Sequence, residues 1–370
     1  MFSFYAGTNF YISKRAYQWF SVFSHNFNWK IFALVYILVA FAMFFGFLPL
    51  PSGVKRVIGW IGVQWMGIYV YLLMFIILAD LALLIASLVK VIPAPVPQNV
   101  RFYAGLIVVL LTAAVVGYGR YNANQIRSVS YEIKANKNLS ADMKIVLISD
   151  LHLGAINSEK NLPAIIQGAN NLKPDIVCIA GDIFNDDINA LRDPSKAIDL
   201  LSGISATYGV YACMGNHDGG KTFKEMTLFL EQSNIKLLND EYVIIDDRLI
   251  LIGRLDSSPI GGFGGLKRKD IESVVTSIDT NLPIVVMDHN PSNIGQYGNE
   301  IDLILSGHTH KGQIFPANLI TKAMFTVDYG HYQKDSESPH VVVTSGAGTW
   351  GMPMRVGTNN EIVGIVLRGN

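Results

Sequence analysis

The chain has little charge and almost no cysteine for its length. Lys, Arg, Asp and Glu make up 16% of its 370 residues, and 29 basic residues are balanced by 29 acidic ones. Without a basic excess there is no electrostatic footprint for nucleic acid, so we expect no nucleic-acid partner. The two cysteines, Cys178 and Cys213, cannot form a disulfide framework, and each lies in a short apolar run. We expect them to be buried free thiols.

The apolar residues are concentrated in the first third of the chain. Three runs with almost no charge occupy residues 31–50, 60–89 and 104–118. About 20 apolar residues in a helix cross a hydrocarbon core of about 30 Å. The aromatic-rich first 29 residues lack the apolar block of a signal peptide and suit a segment lying in the membrane interface. We therefore expect residues 1–125 to form a membrane region with an interfacial segment and about three transmembrane helices.

The sequence predicts an integral protein of the cell (plasma) membrane. Basic residues divide almost evenly between the two ends of the predicted spans, so the side that carries the rest of the chain stays open. Asp80 is the one acid deep inside a predicted span. It is either part of a proton or ion relay or a partner in a hydrogen bond between helices. The other predicted spans hold no second ionisable residue, which favours the hydrogen bond.

Residues 126–370 have a different sequence pattern, in which short runs rich in β-forming residues are separated by amphipathic stretches. A short connection over about residues 121–143 is expected to join them to the membrane region. We predict strands at 144–149, 175–180, 210–214, 243–245, 249–252, 284–287, 301–306, 341–344 and 362–367. We predict helices at 159–171, 195–202, 222–232 and 268–278. This order indicates an α/β domain with a mixed sheet or two sheets.

Five polar signatures follow the predicted strands. They contain Asp150 and His152; Asp182; Asn216, His217 and Asp218; His289; and His308 and His310. Loops at the carboxyl ends of strands converge in open α/β sheets, so these side chains are expected to meet. Asp-x-His and His-x-His place two side chains on one side of an extended segment, so each pair is expected to approach a metal together.

The residue types predict a site for two divalent metals. Asp182, central in the order, can bridge two cations through its two carboxylate oxygens, and Asn216 adds a neutral oxygen. The imidazoles favour Mn, Fe or Zn over Ca or Mg. Two cations about 3.5–4 Å apart acidify a water between them, and the resulting hydroxide can attack phosphorus. We predict His217 as the proton donor to the leaving oxygen and Asp218 as the residue that orients it.

The ordered signatures resemble the calcineurin-like metallophosphoesterase superfamily, whose pattern is D-x-H, GD, GNH[DE], a lone His and GHxH. The matching segments are SDLHLG, GDIFND, GNHD, DHNP and GHTHKGQ, and the resemblance covers roughly residues 143–369. Arg254 and Asp256 after Gly253, together with SGAGTWGMPMRVGT at 345–358, resemble members that are anchored in membranes by several spans.

The resemblance implies a β-sandwich of two mixed sheets flanked by helices, and a phosphoric ester hydrolase. It implies one metal held by Asp150, His152, Asp182 and His310, and another held by Asp182, Asn216, His289 and His308. His217 would be the proton donor. Lys311 stands where close relatives often have glycine; it either contacts substrate phosphate or is an exposed loop lysine.

The substrate stays open at this level. A lipid-linked phosphoester or pyrophosphate, met in the surrounding membrane lipids, is one reading, and a soluble phosphodiester is another. A membrane sensor or scaffold with a regulatory phosphoesterase domain is a third, although no predicted ligand is missing. The oligomeric state is not predicted.

Overall fold

The computed structural model describes residues 2–22, 28–45, 48, 50–156, 159–276, 278 and 281–369. The chain divides into two compact units, Met1–Arg120 and Tyr121–Asn370.

The first unit is helical. Its helices are α1 (Phe2–Phe20), α2 (Trp29–Ala40), α3 (Ala42–Phe45), α4 (Ser52–Leu88) and α5 (Gln98–Ala123), the last continuing three residues into the second unit. Within the described residues, α4 and α5 are the two helices long and apolar enough to cross a membrane. Only 17% of the most apolar 18-residue stretch of α4 is buried, and only 11% of that of α5. A core helix of a soluble protein would bury its apolar face, so these exposed faces suit contact with lipid.

The first predicted span is not one continuous helix where the structure describes it, while the number of spans stays a prediction. Helix α2 ends at Ala40, and Phe41 leaves helical geometry at φ −105° and ψ 10°. Its 12 residues reach only about 18 Å, short of a hydrocarbon core of about 30 Å. Neither glycine nor proline stands at this helix end, and the sequence stays apolar beyond it, so the sequence alone does not predict where α2 ends. Residues 46, 47 and 49 of that run lie outside the described residues.

Helix α1, predicted as an interfacial segment, packs against α2 and α4. Ile12 of α1 is buried in one cluster with Ala40 of α2 and Trp65 of α4. The hydroxyls of Thr8 and Tyr69 lie 2.6 Å apart and form a hydrogen bond between α1 and α4. The first unit is therefore held by aromatic packing and by polar bonds between helices.

The second unit contains two six-stranded mixed sheets. The strands are β1 (Ile126–Lys134), β2 (Met143–Ile148), β3 (Ile176–Ala180), β4 (Val210–Cys213), β5 (Ile235–Leu237), β6 (Glu241–Ile245), β7 (Leu249–Gly253), β8 (Ile284–Met287), β9 (Leu303–Ser306), β10 (Gly330–Tyr332), β11 (His340–Val343) and β12 (Asn360–Arg368). One sheet has the order β1-β12-β2-β3-β4-β5 and the other β10-β11-β9-β8-β7-β6. The first sheet has one antiparallel pair, β12 with β2, and the second has two, β10 with β11 and β6 with β7, while all other pairs are parallel.

The core lies between the sheets. Leu147 of the first sheet and Met287 and Leu303 of the second belong to one buried cluster. Helices α6 (Leu162–Asn171), α7 (Pro194–Leu201) and α8 (Phe223–Gln232) pack on the outer face of the first sheet. Helix α9 (Ile271–Val275) packs on the outer face of the second, and α10 (Ala317–Met324) follows β9. The predicted sandwich flanked by helices is confirmed, and Cys178 and Cys213 are free and buried.

Some elements differ from the prediction. Strand β1 lies within the segment expected to be a connection, and it pairs in parallel with β12. Strands β5 and β10 and helix α10 were not predicted, and α9 is five residues long where the sequence predicts a helix over 268–278. Most of these elements bury few side chains, so they lack the apolar periodicity on which the prediction depends.

Candidate metal centre

The predicted ligands lie just beyond the carboxyl ends of strands from both sheets. Asp150 and His152 follow β2, Asp182 follows β3, and Asn216 follows β4 in the first sheet. His289 follows β8, and His308 and His310 follow β9 in the second. The ends of five parallel strands therefore deliver seven side chains to one region. Most of them are buried.

The first cluster consists of Asp150, His152 and His310. The Nε2 atoms of the two histidines are 3.0 Å apart, and Asp150 Oδ1 lies 3.3 Å from Nε2 of His310 and 3.8 Å from Nε2 of His152. Two ligands bound tetrahedrally at about 2.1 Å from one cation are about 3.4 Å apart. These spacings fit a shell of ligands around one divalent metal.

The second cluster consists of Asp182, His289 and His308, with Asn216 Oδ1 2.9 Å from Nδ1 of His308. His289 Nδ1 donates to the carbonyl oxygen of Ala180 at 2.8 Å. In the neutral imidazole this bond leaves the lone pair on Nε2. Nε2 is buried and accepts no hydrogen bond from the described residues. A buried imidazole lone pair without a donor fits a metal ligand.

The Asp182 carboxylate faces both clusters. Its Oδ2 lies 3.6 Å from Nε2 of His152 and 3.1 Å from Nε2 of His289. Its Oδ1 accepts the backbone N–H of His217 at 2.9 Å. A single carboxylate between two clusters has the placement required of a bridging ligand.

Burial and neighbouring charge set the protonation of the site. Burial lowers the pKa of His152 to about 3 and that of His308 to about 4. Burial also lowers the pKa of His310 well below its usual range. Burial opposes ionisation of both Asp182 and His289, but their mutual attraction outweighs it, so the pKa of Asp182 is lowered and that of His289 is raised. His152, His308 and His310 in their neutral forms and Asp182 in its ionised form are ready to bind metal, whereas His289 would release its proton on binding.

The backbone at the site is left-handed rather than extended, which corrects the expected geometry of the paired signatures. The φ angles are 56° at Asp150, 48° at His152, 51° at Asp182, 71° at His308 and 49° at His310. Such angles are uncommon outside glycine and cluster at functional sites. The turn at each residue also separates His308 from His310, so that they enter different clusters. These two histidines do not approach one metal together.

Two glycines of the signatures leave room for the carboxylates. A Cβ at Gly307 would lie 2.0 Å from Ser149 Oγ and 2.3 Å from Asp150 Oδ2. A Cβ at Gly215 would lie 2.2 Å from Asp182 Oδ1. Any side chain at either position would displace a predicted ligand, which explains why these signatures contain glycine.

Asp186, rather than Asp218, contacts the His217 ring. Its Oδ1 is 2.7 Å from Nδ1 of His217. The predicted orienting residue, Asp218, is buried, and its carboxylate accepts the backbone N–H groups of Phe184 and Gly215, each at 2.8 Å. The expectation that Asp218 orients His217 is therefore wrong, because backbone donors hold its carboxylate in the loop core. Burial raises the pKa of Asp218 to about 7, and the charge of Asp182 adds to the effect.

Arg355 is a buried residue of the site to which the sequence assigned no role. Its guanidinium donates to the carbonyl oxygens of His310, Ser345 and Gly348 at 2.9, 2.6 and 2.6 Å. Its Nε donates to Asn360 Oδ1 at 2.6 Å. Arg355 thus ties the loop carrying His310 to the loop after β11. Arg355 lies in the segment 345–358 that the sequence analysis quoted, but its hydrogen-bond partners are visible only in the fold.

Two further side chains border the site. The Trp350 ring is half exposed, and its centroid is 6.0 Å from that of His217. Lys311, for which substrate contact and an exposed loop position were both open, has φ 50° and places Nζ 3.8 Å from the Tyr329 ring centroid. It is half-buried, so neither description fits it in full.

Comparison with known proteins shows a family similarity for part of the second unit. Residues 143–312 match the model of the calcineurin-like phosphoesterase family. An uncharacterized metallophosphoesterase of Campylobacter jejuni is 34% identical over 251 residues, which are 66% of this chain and 63% of that protein. Two Helicobacter pylori relatives are covered over 59% of their length, so the chain spans less than two thirds of these proteins.

Other relatives extend the similarity toward the helical unit. A Danio rerio transmembrane protein with metallophosphoesterase domain is 27% identical over 361 residues, 92% of this chain and 80% of that protein. A Bos taurus protein of the same description is 29% identical over 280 residues, 70% of this chain and 61% of that protein. Residues 143–312 are therefore similar to the calcineurin-like phosphoesterase family, and the chain is similar over most of its length to a transmembrane relative.

Proposed function

We propose that the protein is an integral membrane hydrolase that cleaves phosphoester or pyrophosphate bonds with two divalent metals. The placement of Asp182 carries this proposal. Its Oδ2 lies 3.6 and 3.1 Å from imidazole nitrogens of two separate clusters. Asp150, His152, Asp182 and His310 would hold one metal, and Asp182, Asn216, His289 and His308 the other. When bound, the metals supply Lewis acidity that activates water and neutralises phosphate charge.

The chain's own contribution to bond cleavage centres on His217. Its Nδ1 lies against Asp186, which leaves Nε2 to donate a proton to the leaving oxygen. Burial lowers the pKa of His217, but the bond to Asp186 outweighs it, so the pKa is raised and the charged acid is favoured. The exposed Trp350 ring beside His217 offers an apolar surface to a leaving group.

The nitrogen-rich clusters favour Mn, Fe or Zn. Four of the seven proposed ligands are histidines, a composition unlike that of the all-oxygen sites of calcium. Elemental analysis of full-length protein produced without added metal should find two of these ions per chain. Stoichiometric calcium would contradict the assignment.

A lipid-linked substrate is the class we favour, at the plasma membrane. Two helices are long and apolar enough to span a bilayer, and α5 ends at Ala123, close in sequence to the first residue of β1, Ile126. A hydrolase joined directly to a membrane helix meets lipid-linked phosphoesters at high effective concentration. The competing function, hydrolysis of soluble phosphodiesters, requires no such attachment.

The mechanism is tested by metal content and turnover together. Full-length wild type, Asp182→Ala and His217→Ala would be compared on p-nitrophenyl phosphate and bis(p-nitrophenyl) phosphate. Asp182→Ala should lose metal and at least about 10³-fold in kcat, because both cations lose a ligand. His217→Ala should keep both metals and lose about 10²-fold or more. Full activity in Asp182→Ala would exclude the two-metal mechanism, and metal loss in His217→Ala would make His217 a ligand.

The substrate class is tested by a screen of lipid extracts. Full-length protein in nanodiscs would be incubated with membrane lipids, and released phosphate or headgroup would be measured, with His217→Ala as the control. We expect release from a lipid fraction that His217→Ala fails to produce. Turnover confined to water-soluble phosphodiesters, at the same rate in nanodiscs and in detergent, would exclude the lipid substrate.

A further inference from the structure

Asp80 is ion-paired inside the helical unit. Arg15 of α1 donates from Nε and Nη2 to Asp80 Oδ2 of α4 at 2.7 and 2.6 Å. The Tyr11 hydroxyl donates to the same oxygen. The carboxylate is thus engaged by two side chains of α1. This contact is the helix–helix bond that the sequence left open, with an arginine that lies outside the predicted spans.

A cavity of about 460 Å³ opens beside this ion pair. Its polar end contains Arg15, Asp80, Gln98 and Arg101, and its walls include Ile76 and Val108. A neighbouring cavity of about 300 Å³ shares Arg15, Asp80, Leu83 and Arg101. The larger cavity lies within the range of about 300–1,000 Å³ typical of small-molecule sites.

One wall of the cavity is held by Trp19. Its indole Nε1 donates to the carbonyl oxygen of Phe102 at 3.0 Å, and the two rings are stacked at an interplanar angle of 15°. A Cβ at Gly105 would lie 2.2 Å from the indole, so this glycine allows α5 to approach Trp19 closely. The cavity is therefore bordered by fixed groups of α1 and α5.

The charges around the cavity do not cancel. Arg15 and Arg101 contribute two positive charges and Asp80 contributes one negative charge. Asp80 is paired with Arg15, whereas Arg101 has no carboxylate partner in the described part of the chain. The polar end of the cavity thus has one cation available for a ligand with a single negative charge.

The remaining surface of the cavity is apolar and continuous with the outside of the helices. Val109, which lines the larger cavity, and Leu84, which lines the smaller, are both exposed. Exposed apolar side chains on spanning helices face acyl chains. Arg101 belongs to the first turn of α5, the level at which arginine meets headgroups. A ligand entering here has an apolar body and an anionic end.

We propose that this cavity binds one anionic phospholipid, with the phosphate at Arg101 and an acyl chain along Ile76, Val108 and Val109. The site is formed by α1, α4 and α5 and is separate from the metal ligands. It does not depend on hydrolysis, because none of its residues belongs to the proposed active site.

The test measures lipid retained by the full-length protein. Protein released from nanodiscs of equimolar phosphatidylglycerol and phosphatidylcholine would be analysed by native mass spectrometry. Wild type should retain one phosphatidylglycerol in preference to phosphatidylcholine. Arg101→Gln should reduce that preference about fivefold, the contribution of one basic residue at a lipid surface. Arg56→Gln, which removes the same charge near the start of α4 and away from the cavity, should retain the wild-type preference.

A second pair of variants tests the volume of the site. Ala104→Phe places a ring in the cavity and should abolish retention, whereas Ala113→Phe, on the exposed face of the same helix, should not. Added inorganic phosphate should not displace the lipid if the acyl chain contributes to binding. Equal retention of both lipids, unchanged retention in Arg101→Gln, or displacement by inorganic phosphate would each overturn the proposal. The turnover of His217→Ala bears only on the hydrolase, so the two proposals fail independently.

Discussion

The two units use polar side chains in opposite ways. In the second unit, seven side chains from five strand ends converge on one region, and five of them have left-handed backbone. In the first unit, polar groups form bonds between helices, such as those of Arg15 and Tyr11 with Asp80. Convergence of carboxylates and imidazoles on one region gives the proposed metals their ligands. Separate bonds between helices satisfy their own charge and hold the helices together.

The largest effect on stability is expected from substitution of Arg355. Arg355→Met removes a guanidinium that satisfies carbonyl oxygens of His310, Ser345 and Gly348. Leaving these buried acceptors without donors should cost about 3 kcal/mol or more, which lowers the unfolding midpoint of the second unit by about 10 °C. Scanning calorimetry of the full-length protein in detergent measures this, with Arg192→Met at an exposed position as control. An unchanged unfolding midpoint would show that Arg355 does not stabilise the loops that bring the site residues together.

Asp186→Asn tests the positioning of His217. A proton donor acts while it is charged, so activity is lost as the pH rises through its pKa. Asp186 raises the pKa of His217 against the opposing effect of burial. Its removal should move the alkaline limb of the kcat profile to lower pH and reduce kcat about tenfold. Asp187→Asn, on the same loop but without contact to His217, should match wild type. A reduced kcat with an unmoved alkaline limb would contradict this positioning role.

The smallest effect is expected at the ion pair of the first unit. The side chains of Arg15 and Asp80 are 40% and 27% exposed, so their coupling should be about 1 kcal/mol or less. Unfolding of Arg15→Gln, Asp80→Asn and the double variant, followed in one detergent, gives this coupling as a double-mutant cycle. A coupling of several kcal/mol would mean that the pair is desolvated like the side chains of the candidate metal centre, and the contrast between the units would disappear.

Much of the second unit could be predicted because buried parallel strands are short apolar runs bounded by polar residues. Strand β8, Ile284–Met287, has the bounds that the sequence predicts. Strand β1 could not be found this way, since its exposed and half-buried residues interrupt the apolar pattern. The end of α2 at Ala40 was hidden for the opposite reason, because apolar residues continue beyond it.

The candidate site shows the same limit at the level of side chains. The proposed ligands follow strands in a recognisable order, so the sequence predicts them without the fold. Asp186 and Asp218 both lie in signatures, and only the loop conformation shows which one reaches His217. The pair of Arg15 and Asp80 joins residues far apart in sequence with no local signature at either. Contacts of this kind require the packing of the helices.

The most direct test of the central claim is the electron paramagnetic resonance spectrum of the full-length protein loaded with Mn²⁺. If Asp182 bridges two metals, the wild-type spectrum should show two exchange-coupled manganese ions per chain. Asp182→Ala should show only the spectrum of isolated ions, or no bound manganese. A wild-type spectrum of isolated manganese at saturation, or a coupled spectrum that persists in Asp182→Ala, would contradict a dinuclear centre bridged by Asp182.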